Sequence, residues 1–306
     1  MKALITGITG FVGTHLSLLL KNKGWDVEGT TRQSRENHGL WKVDLQNQEQ
    51  LIKAIKGSKP THIFHLAGLS DVRKSWDFPH EYLRTNAIGT YNVLDAVRKV
   101  NPKIRVVTVG SSEEYGIGAQ GIVDENQLLR PLSPYGISKS TAGMYSVHFA
   151  RSYHIHVVHV RPFNHIGPGQ REGFAAADFA KQIARINKYK ELPAVISIGN
   201  LESIRDFTDV RDIAEAYYQL SIKGESGEIY NVASGRGVKI KDLLSILLSY
   251  SSRKIQTIVD DSRLRPADIP LQIGNCNKLK QATGWKSAMS IENTLKEIYE
   301  DWQSRV

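Results

Sequence analysis

Short apolar runs alternate with longer stretches whose apolar residues recur every three or four positions through the first half of the chain. The runs are KALIT from Lys2, DVEGTT from Asp26, THIFHLA from Thr61, IRVVTVGS from Ile104 and HVVHVRPF from His156. Helical spacing covers 12–23, 48–56, 82–100 and 135–153. Strands this apolar on both faces, separated by helices of that length, predict parallel pairing with both faces of the sheet covered. Right-handed crossovers then make an α/β, doubly wound sheet the expected architecture. Further along, FTDVRDIAEAYYQLS from Phe207 reads as another sheet-packing helix and GEIYNVAS from Gly227 as a late strand. No repeat, low-complexity tract or linker interrupts the chain. Residues 1–163 plus 207–235 are therefore expected to form the sheet domain. The remaining 164–206 plus 236–306 are expected to build a smaller, interleaved α/β cap that binds substrate.

Composition narrows this picture only a little. At 306 residues the chain can bury a large core. The 40 Lys and Arg exceed the 31 Asp and Glu by nine, but basic residues are scattered with acids between them. That distribution suits a small anionic ligand and argues against nucleic acid as a partner. Cys276 is the only cysteine, so no internal disulfide can form, as expected in a reducing cytoplasm. No stretch approaches the roughly 18 apolar residues of a membrane span, and a soluble cytoplasmic protein without a membrane partner is expected.

The first candidate chemistry follows the first strand, in TGITGFVG with Gly7, Gly10 and Gly13. A strand, a glycine turn and a helix opening on Phe11 and Val12 would lay a diphosphate against backbone N–H groups at the helix N-terminus, in the manner of a Rossmann dinucleotide site. The spacing is G-x-x-G-x-x-G, and a tight turn with no ligand would also use it. Thr30, Thr31 and Arg32 stand after the second strand where an NAD site usually places an acid. Hydroxyls and a guanidinium suit a 2′-phosphate, so NADP(H) is favoured, with NAD(H) possible; the alternative is that Arg32 is a solvated loop residue. Asp44 and Leu45, and Ala67 in HLAG, are expected along the adenosine side.

Tyr135 and Lys139 lie four apart at the start of a predicted helix, so both project from one face. An ammonium that close would favour tyrosinate and lower the pKa of the phenol. Such a tyrosine exchanges a proton with a substrate oxygen, and Ser111 at the end of the preceding strand could hydrogen-bond the same oxygen. No metal site is expected. His154 and His156 would share one strand face with His159 on the other, and His62 and His65 read as packed within the sheet.

Taken together, TGITGFVG, Asp44-Leu45, HLAG, SSEEYG, YGISK, RPFNHIGPGQ, RDFTDVRD and LRPAD resemble the extended short-chain dehydrogenase/reductase family over the whole chain. Within it, GSSEEYG, FNHIGPGQ and GNLESIRDFTDVRDI look most like bacterial GDP-4-keto-6-deoxy-D-mannose reductases. The resemblance implies a Ser111, Tyr135 and Lys139 triad, with Gly7, Gly10, Phe11, Val12 and Gly13 around the cofactor diphosphate and Lys139 also on the nicotinamide ribose. It implies sugar-nucleotide contacts from Ser111, Glu113, Asn164, Asn200, Arg205, Arg265 and Asp268. The implied reaction is NAD(P)H-dependent reduction of the C4 ketone of a GDP-linked 4-keto-6-deoxyhexose to GDP-D-rhamnose. Family members commonly pair through two helices, here those near 82–100 and 135–153, which implies a homodimer. Glu113 keeps an alternative open, since it stands where GDP-mannose 4,6-dehydratases carry the base that removes the C5 proton. RDF where dehydratases carry RDW, and GPGQRE where they carry consecutive arginines, favour the reductase. Another nucleotide-sugar epimerase or reductase is the further alternative, and a regulator that only binds NADP is disfavoured by the intact Tyr135 and Lys139.

Overall fold

The computed structural model describes residues 1–32, 39–117, 121–263 and 269–306. Seven strands form one wholly parallel sheet: β1 Lys2–Thr6, β2 Asp26–Thr31, β3 Leu40–Lys42, β4 His62–His65, β5 Arg105–Val109, β6 Val157–Pro162 and β7 Ile229–Val232. Their spatial order is β3-β2-β1-β4-β5-β6-β7, so the winding reverses between β1 and β4. Ligands of doubly wound sheets bind at such a reversal, beyond the carboxyl ends of the strands.

Successive strand residues explain the near-continuous apolar runs. Ala3 and Ile5 join a core with Leu16 and Leu20 of the helix Phe11–Asn22 and Tyr217 and Leu220 of the helix Val210–Lys223. Leu4 joins the opposite core with Leu51 and Ile55 of Gln48–Ser58, Val93 and Val97 of Gly89–Val100, and Phe149 of Pro134–Tyr153. Each fully buried Leu or Phe contributes about 1.5–3 kcal/mol relative to exposure, so neither face tolerates a polar register.

The second layer is built around Ile204–Asp209, flanked by Gly237–Lys239 on one side and by Leu271–Gly274 and then Gly121–Val123 on the other. Asn164–Ile166 also pairs with Ile204–Asp209, and Val195–Ile198 pairs separately with Gln256–Val259. The helices Ala175–Lys188, Ile240–Leu248 and Ile291–Arg305 share a core beside these strands. Two strands depart from the sequence expectation: Ile204–Asp209 runs across the 206/207 boundary, and Gly121–Val123 comes from the segment assigned to the first sheet.

Phe207, Thr208 and Asp209 are strand rather than helix, because they pair in register with Asn164, His165 and Ile166. The helix starts only at Val210, where the Asp209 carboxylate caps it by accepting from the Arg211 N–H at 2.8 Å. The expected helix over 82–100 is also broken. A short helix Pro79–Tyr82 runs into a π-turn, Leu83–Ile88, before the regular helix Gly89–Val100. Buried Asn86 sits in that turn, donating to Leu69 O and Ser138 Oγ, each at 3.0 Å, and accepting from Leu69 N at 2.8 Å. His154 is the left-handed C-cap of Pro134–Tyr153, not a strand residue. His65 is buried between Thr6 and Thr90, as expected of a packed residue. No helix among the described residues is long and apolar enough to cross a membrane.

Candidate active site

The chain leaves β1 through Gly7, whose φ of 71° is open only to glycine at low cost. The Gly10 N–H closes the turn on Gly7 O at 2.9 Å. A methyl on Gly7 would lie 3.0 Å from Ala67 N, and one on Gly13 would come 2.8 Å from Ile8 O and closer still to Gly7 O. Tight packing thus requires Gly7 and Gly13 whatever else binds there. What packing does not require is the bare start of the helix Phe11–Asn22: its N-cap, Gly10, offers no side-chain acceptor. The first N–H groups are left to an anion. The segment after β6 crosses this helix end, with the Phe11 ring stacked on His165 at 6.1 Å and His15 Nε2 donating to Pro168 O at 2.9 Å.

The other candidate cofactor positions follow the carboxyl ends of neighbouring strands. Thr30 is buried and Arg32 exposed after β2. Asp44 is exposed and its Oδ1 accepts from Gln46 N at 2.9 Å, whereas Leu45 is buried in the sheet core. Ala67, half-buried after β4, donates its N–H to Thr6 Oγ1 at 3.1 Å. Val12 is half-buried against the core of the first face.

Tyr135 and Lys139 are set by the start of Pro134–Tyr153. Ser133 caps the helix by accepting from Gly136 N at 3.0 Å, and Pro134 occupies the first turn, where its missing N–H costs nothing. Ser111 follows β5, and its hydroxyl lies near enough to the Tyr135 phenol to bear on that group's titration. All three are buried: Ser111 is 7% exposed, Tyr135 7% and Lys139 8%. The Lys139 ammonium donates to Val109 O at 2.8 Å. Tyr82 stands edge-on to Tyr135 at 6.2 Å, anchored through its own hydroxyl to Asp71 O at 2.6 Å.

The electrostatics of this cluster reverse one expectation. Burial pushes the Tyr135 phenol well above its ordinary value; the Ser111 hydroxyl opposes the rise, and the charges of Glu113 and Glu114 add to it. Lys139 is not among the main influences on the phenol, and its ammonium donates to Val109 O. Burial pulls Lys139 down to about 8, against the pull of Glu114 in the other direction. At neutral pH the site therefore holds a protonated phenol beside a largely charged amine, an arrangement that can give a proton to a developing oxyanion.

Beneath Ser111 lies a polar cluster that sequence reading missed. Glu114, fully buried, accepts from Ser111 N at 2.9 Å, from Arg161 Nε at 2.8 Å and from His159 Nε2 at 3.2 Å. Burial drives its carboxyl up, but His159 and Arg161 outweigh that and hold it below the usual range. Asp206 was missed as well. It is fully buried and accepts from Ser234 N and Oγ, Gly235 N and Gly274 N at 2.6–3.2 Å, tying the second sheet to the segment after β7. Arg161 and His159 lie far from Glu114 in sequence, as Ser234, Gly235 and Gly274 do from Asp206, and no local pattern marks either acid.

Of the predicted substrate contacts, Ser111 and Glu113 are brought together near Tyr135, with Glu113 half-buried and its N–H on Ser111 Oγ at 3.1 Å. Asn164 is half-buried and pairs with Phe207. Arg205 is buried on the central cap strand, with Nη1 donating to Ile204 O at 2.9 Å. Asn200 is exposed, and its Oδ1 accepts from Glu202 N at 2.9 Å in a local turn. Arg265 and Asp268 lie outside the described residues.

Comparison with known proteins places this geometry. The sequence profile of the family described as GDP-mannose 4,6 dehydratase matches residues 4–298. The GDP-6-deoxy-D-mannose reductase of Pseudomonas aeruginosa is 31% identical over 309 residues, covering 100% of this chain and 98% of its own. The GDP-6-deoxy-D-talose 4-dehydrogenase of Aggregatibacter actinomycetemcomitans is 29% identical over 306 residues, with 98% of each chain covered. The solved structure of RMD from Pseudomonas aeruginosa complexed with NADPH superposes with a TM-score of 0.89 at 32% identity, covering 100% of this chain and 99% of that one.

Proposed function

From the premise that the chain belongs to the GDP-mannose 4,6-dehydratase family, we propose that it is an NADPH-dependent reductase of the C4 ketone of GDP-4-keto-6-deoxy-D-mannose, yielding GDP-D-rhamnose. The observation that carries this reading is the buried Ser111–Tyr135–Lys139 cluster beside the bare helix start at Gly10. A full-length likeness to a GDP-6-deoxy-D-mannose reductase, and to a structure holding NADPH, supports it.

The residues present fit the cofactor. Gly7, Gly10, Phe11, Val12 and Gly13 hold its diphosphate on helix N–H groups, and Ala67, Asp44 and Leu45 line the adenosine side. Arg32 meets the 2′-phosphate, and NADH is the weaker partner. NADPH, when bound, supplies the hydride. Tyr135 gives its proton to the C4 oxygen as charge develops there, and Ser111 hydrogen-bonds that oxygen. The charged Lys139 holds the nicotinamide ribose. Asn164, Asn200, Arg205, Arg265 and Asp268 hold the GDP-sugar from the cap, the arginines as bidentate donors to its diphosphate. Residues 1–163 plus 207–235 carry the cofactor, and 164–206 plus 236–306 the substrate.

Leu83, Ile88, Tyr91, Ile137 and Met144 are exposed on the two helical segments beside the active site. They form the contact of a homodimer, and Met144→Glu should shift sedimentation toward the monomer.

One observation favours a second reading. The half-buried Glu113 stands two residues after Ser111, where a 4,6-dehydratase would carry its base. Product analysis by NMR separates the two. Turnover of the keto sugar with NADPH to GDP-D-rhamnose, and no reaction of GDP-mannose alone, supports the reductase. Keto sugar formed from GDP-mannose alone would make this a dehydratase, and GDP-6-deoxy-D-talose as product would overturn the assigned stereochemistry.

A further inference from the structure

We propose that Glu114 is a positioning residue of the reaction centre. Its buried carboxylate, clamped between Arg161 and His159, fixes the backbone of Ser111 and seats the helix that carries Tyr135 and Lys139. The inference rests on the reductase reading for its kinetic readout but not for its geometry.

Five segments are linked through this one carboxylate, two of them by direct bonds. The short helical turn Ser112–Glu114 folds back so that Oε1 takes the Ser111 N–H while Ser111 Oγ takes the Glu113 N–H. The two bonds hold Ser111 at both its amide and its hydroxyl oxygen, leaving the hydroxyl proton to the phenol or to a bound substrate. On β6, Arg161 donates Nε to Oε2 and lies over the Tyr115 ring at 4.8 Å. Tyr115 in turn donates its hydroxyl to Asn231 on β7 at 2.6 Å. Also on β6, His159 donates Nε2 to Oε1, while its Nδ1 meets Thr108 Oγ1 of β5 at 2.9 Å. Thr108 Oγ1 is 2.8 Å from Ser146 Oγ on the catalytic helix.

Two glycines make the room. A methyl on Gly110, at the end of β5, would collide with Glu114 Oε1 and His159 Nε2. One on Gly143, a turn beyond Lys139 on the catalytic helix, would come within 2.8 Å of His159 Nε2 and 3.3 Å of Glu114 Oε2. A buried carboxylate is costly unless paired and fully hydrogen-bonded, and here all three of its bonds lead to elements that bear on the reacting groups. A cluster needed only for stability would be served as well by apolar side chains of equal volume. The same charge supports the ammonium of Lys139 and the proton of Tyr135. The other titratable groups facing that pair are Glu113, Tyr82, Tyr217 and His65.

The test compares wild type with Glu114→Gln, which keeps an acceptor for Ser111 N–H but loses the charge, and with Glu114→Ala, which loses both. Folding is checked by circular dichroism, and kcat and KM are measured with NADPH and the keto sugar across pH. We expect kcat to fall at least tenfold in Glu114→Gln and further in Glu114→Ala, with KM within threefold and the alkaline limb of the profile moved to lower pH. Folded variants with kcat and profile within twofold of wild type would overturn the proposal. Should the single variants fail to fold, Glu114→Gln with Arg161→Gln restores a neutral hydrogen-bonded pair, and the same loss of kcat is expected of it. A parallel readout needs no substrate: the 13C NMR titration of Lys139 in the free protein should move to lower pH in Glu114→Gln or the neutral pair. An unmoved titration counts against the proposal even if the keto sugar proves not to be the substrate, and wild-type inactivity toward that sugar with a moved titration would strike the reductase reading alone.

Discussion

Gly13→Ala isolates what the opening turn does. The added methyl falls 2.8 and 2.9 Å from Ile8 O and C and closer still to Gly7 O, all backbone atoms of the turn itself. No side chain can swing aside, so the turn and the helix start must separate by about 0.5–1 Å to reach ordinary contact. Overpacking of this kind costs about 1–3 kcal/mol, while replacing a helical glycine by alanine returns up to about 1 kcal/mol. The net loss of stability is then at most about 3 kcal/mol, a drop of several degrees in Tm for a chain of this size. Cofactor binding should suffer as well. N–H···O bonds span about 2.7–3.2 Å, so such a shift removes at least one bond to a charged oxygen, worth about 1.5–3 kcal/mol. The Kd for NADPH should rise about 10- to 100-fold. Calorimetric titration with NADPH and a thermal melt of both proteins check this. Unchanged affinity in a folded Gly13→Ala protein would refute the assignment of the diphosphate to this turn.

Other outcomes follow from the same geometry. Tyr135→Phe should lower kcat by about 10²–10⁴ through loss of the proton donor, with the NADPH Kd within twofold, as read from NADPH absorbance and binding titration. Lys139 is a cation held down to about 8, so its charge is present below that pH and lost as pH rises through it. A pH–rate profile should therefore decline above about 8. The unfolded lysine keeps its proton up to 10.5, so this group adds stability over the same interval, and activity is lost while the fold holds. Asp206→Asn should destabilise by about 2–4 kcal/mol, because an amide group replaces a carboxylate that accepts from four donors; urea denaturation measures it. Arg32→Ser should narrow the preference for NADPH over NADH at least tenfold in kcat/KM.

The alternation of strand and helix was legible because most residues of β1, β4, β5, β6 and β7 are buried on one face or the other, which leaves apolar runs that no loop would carry. The glycine turn and the Tyr135–Lys139 pair were legible because each lies within a single local element. What could not be read were relations between distant segments. Phe207–Asp209 looked helical by continuity with Val210–Lys223, and only pairing with Asn164–Ile166 makes it a strand. Glu114 looked like a neighbour of Glu113, yet its partners stand on β6. The direction of the Tyr135 shift was misjudged for a related reason: i,i+4 spacing gives the face but not the burial, nor the carbonyl that engages Lys139.

The strand Gly121–Val123 has a consequence for how the molecule is made. It pairs with Leu271–Gly274, residues that leave the ribosome long after it does. The cofactor half of the sheet through β6 can assemble long before then, but this strand must wait with its edge open. Closing it joins segments half the chain apart, the kind of contact that slows folding and exposes a nascent edge to other chains. A truncation before Leu271 would leave that edge without its partner, and we expect it to appear as aggregation in expression rather than as a folded, cofactor-binding fragment.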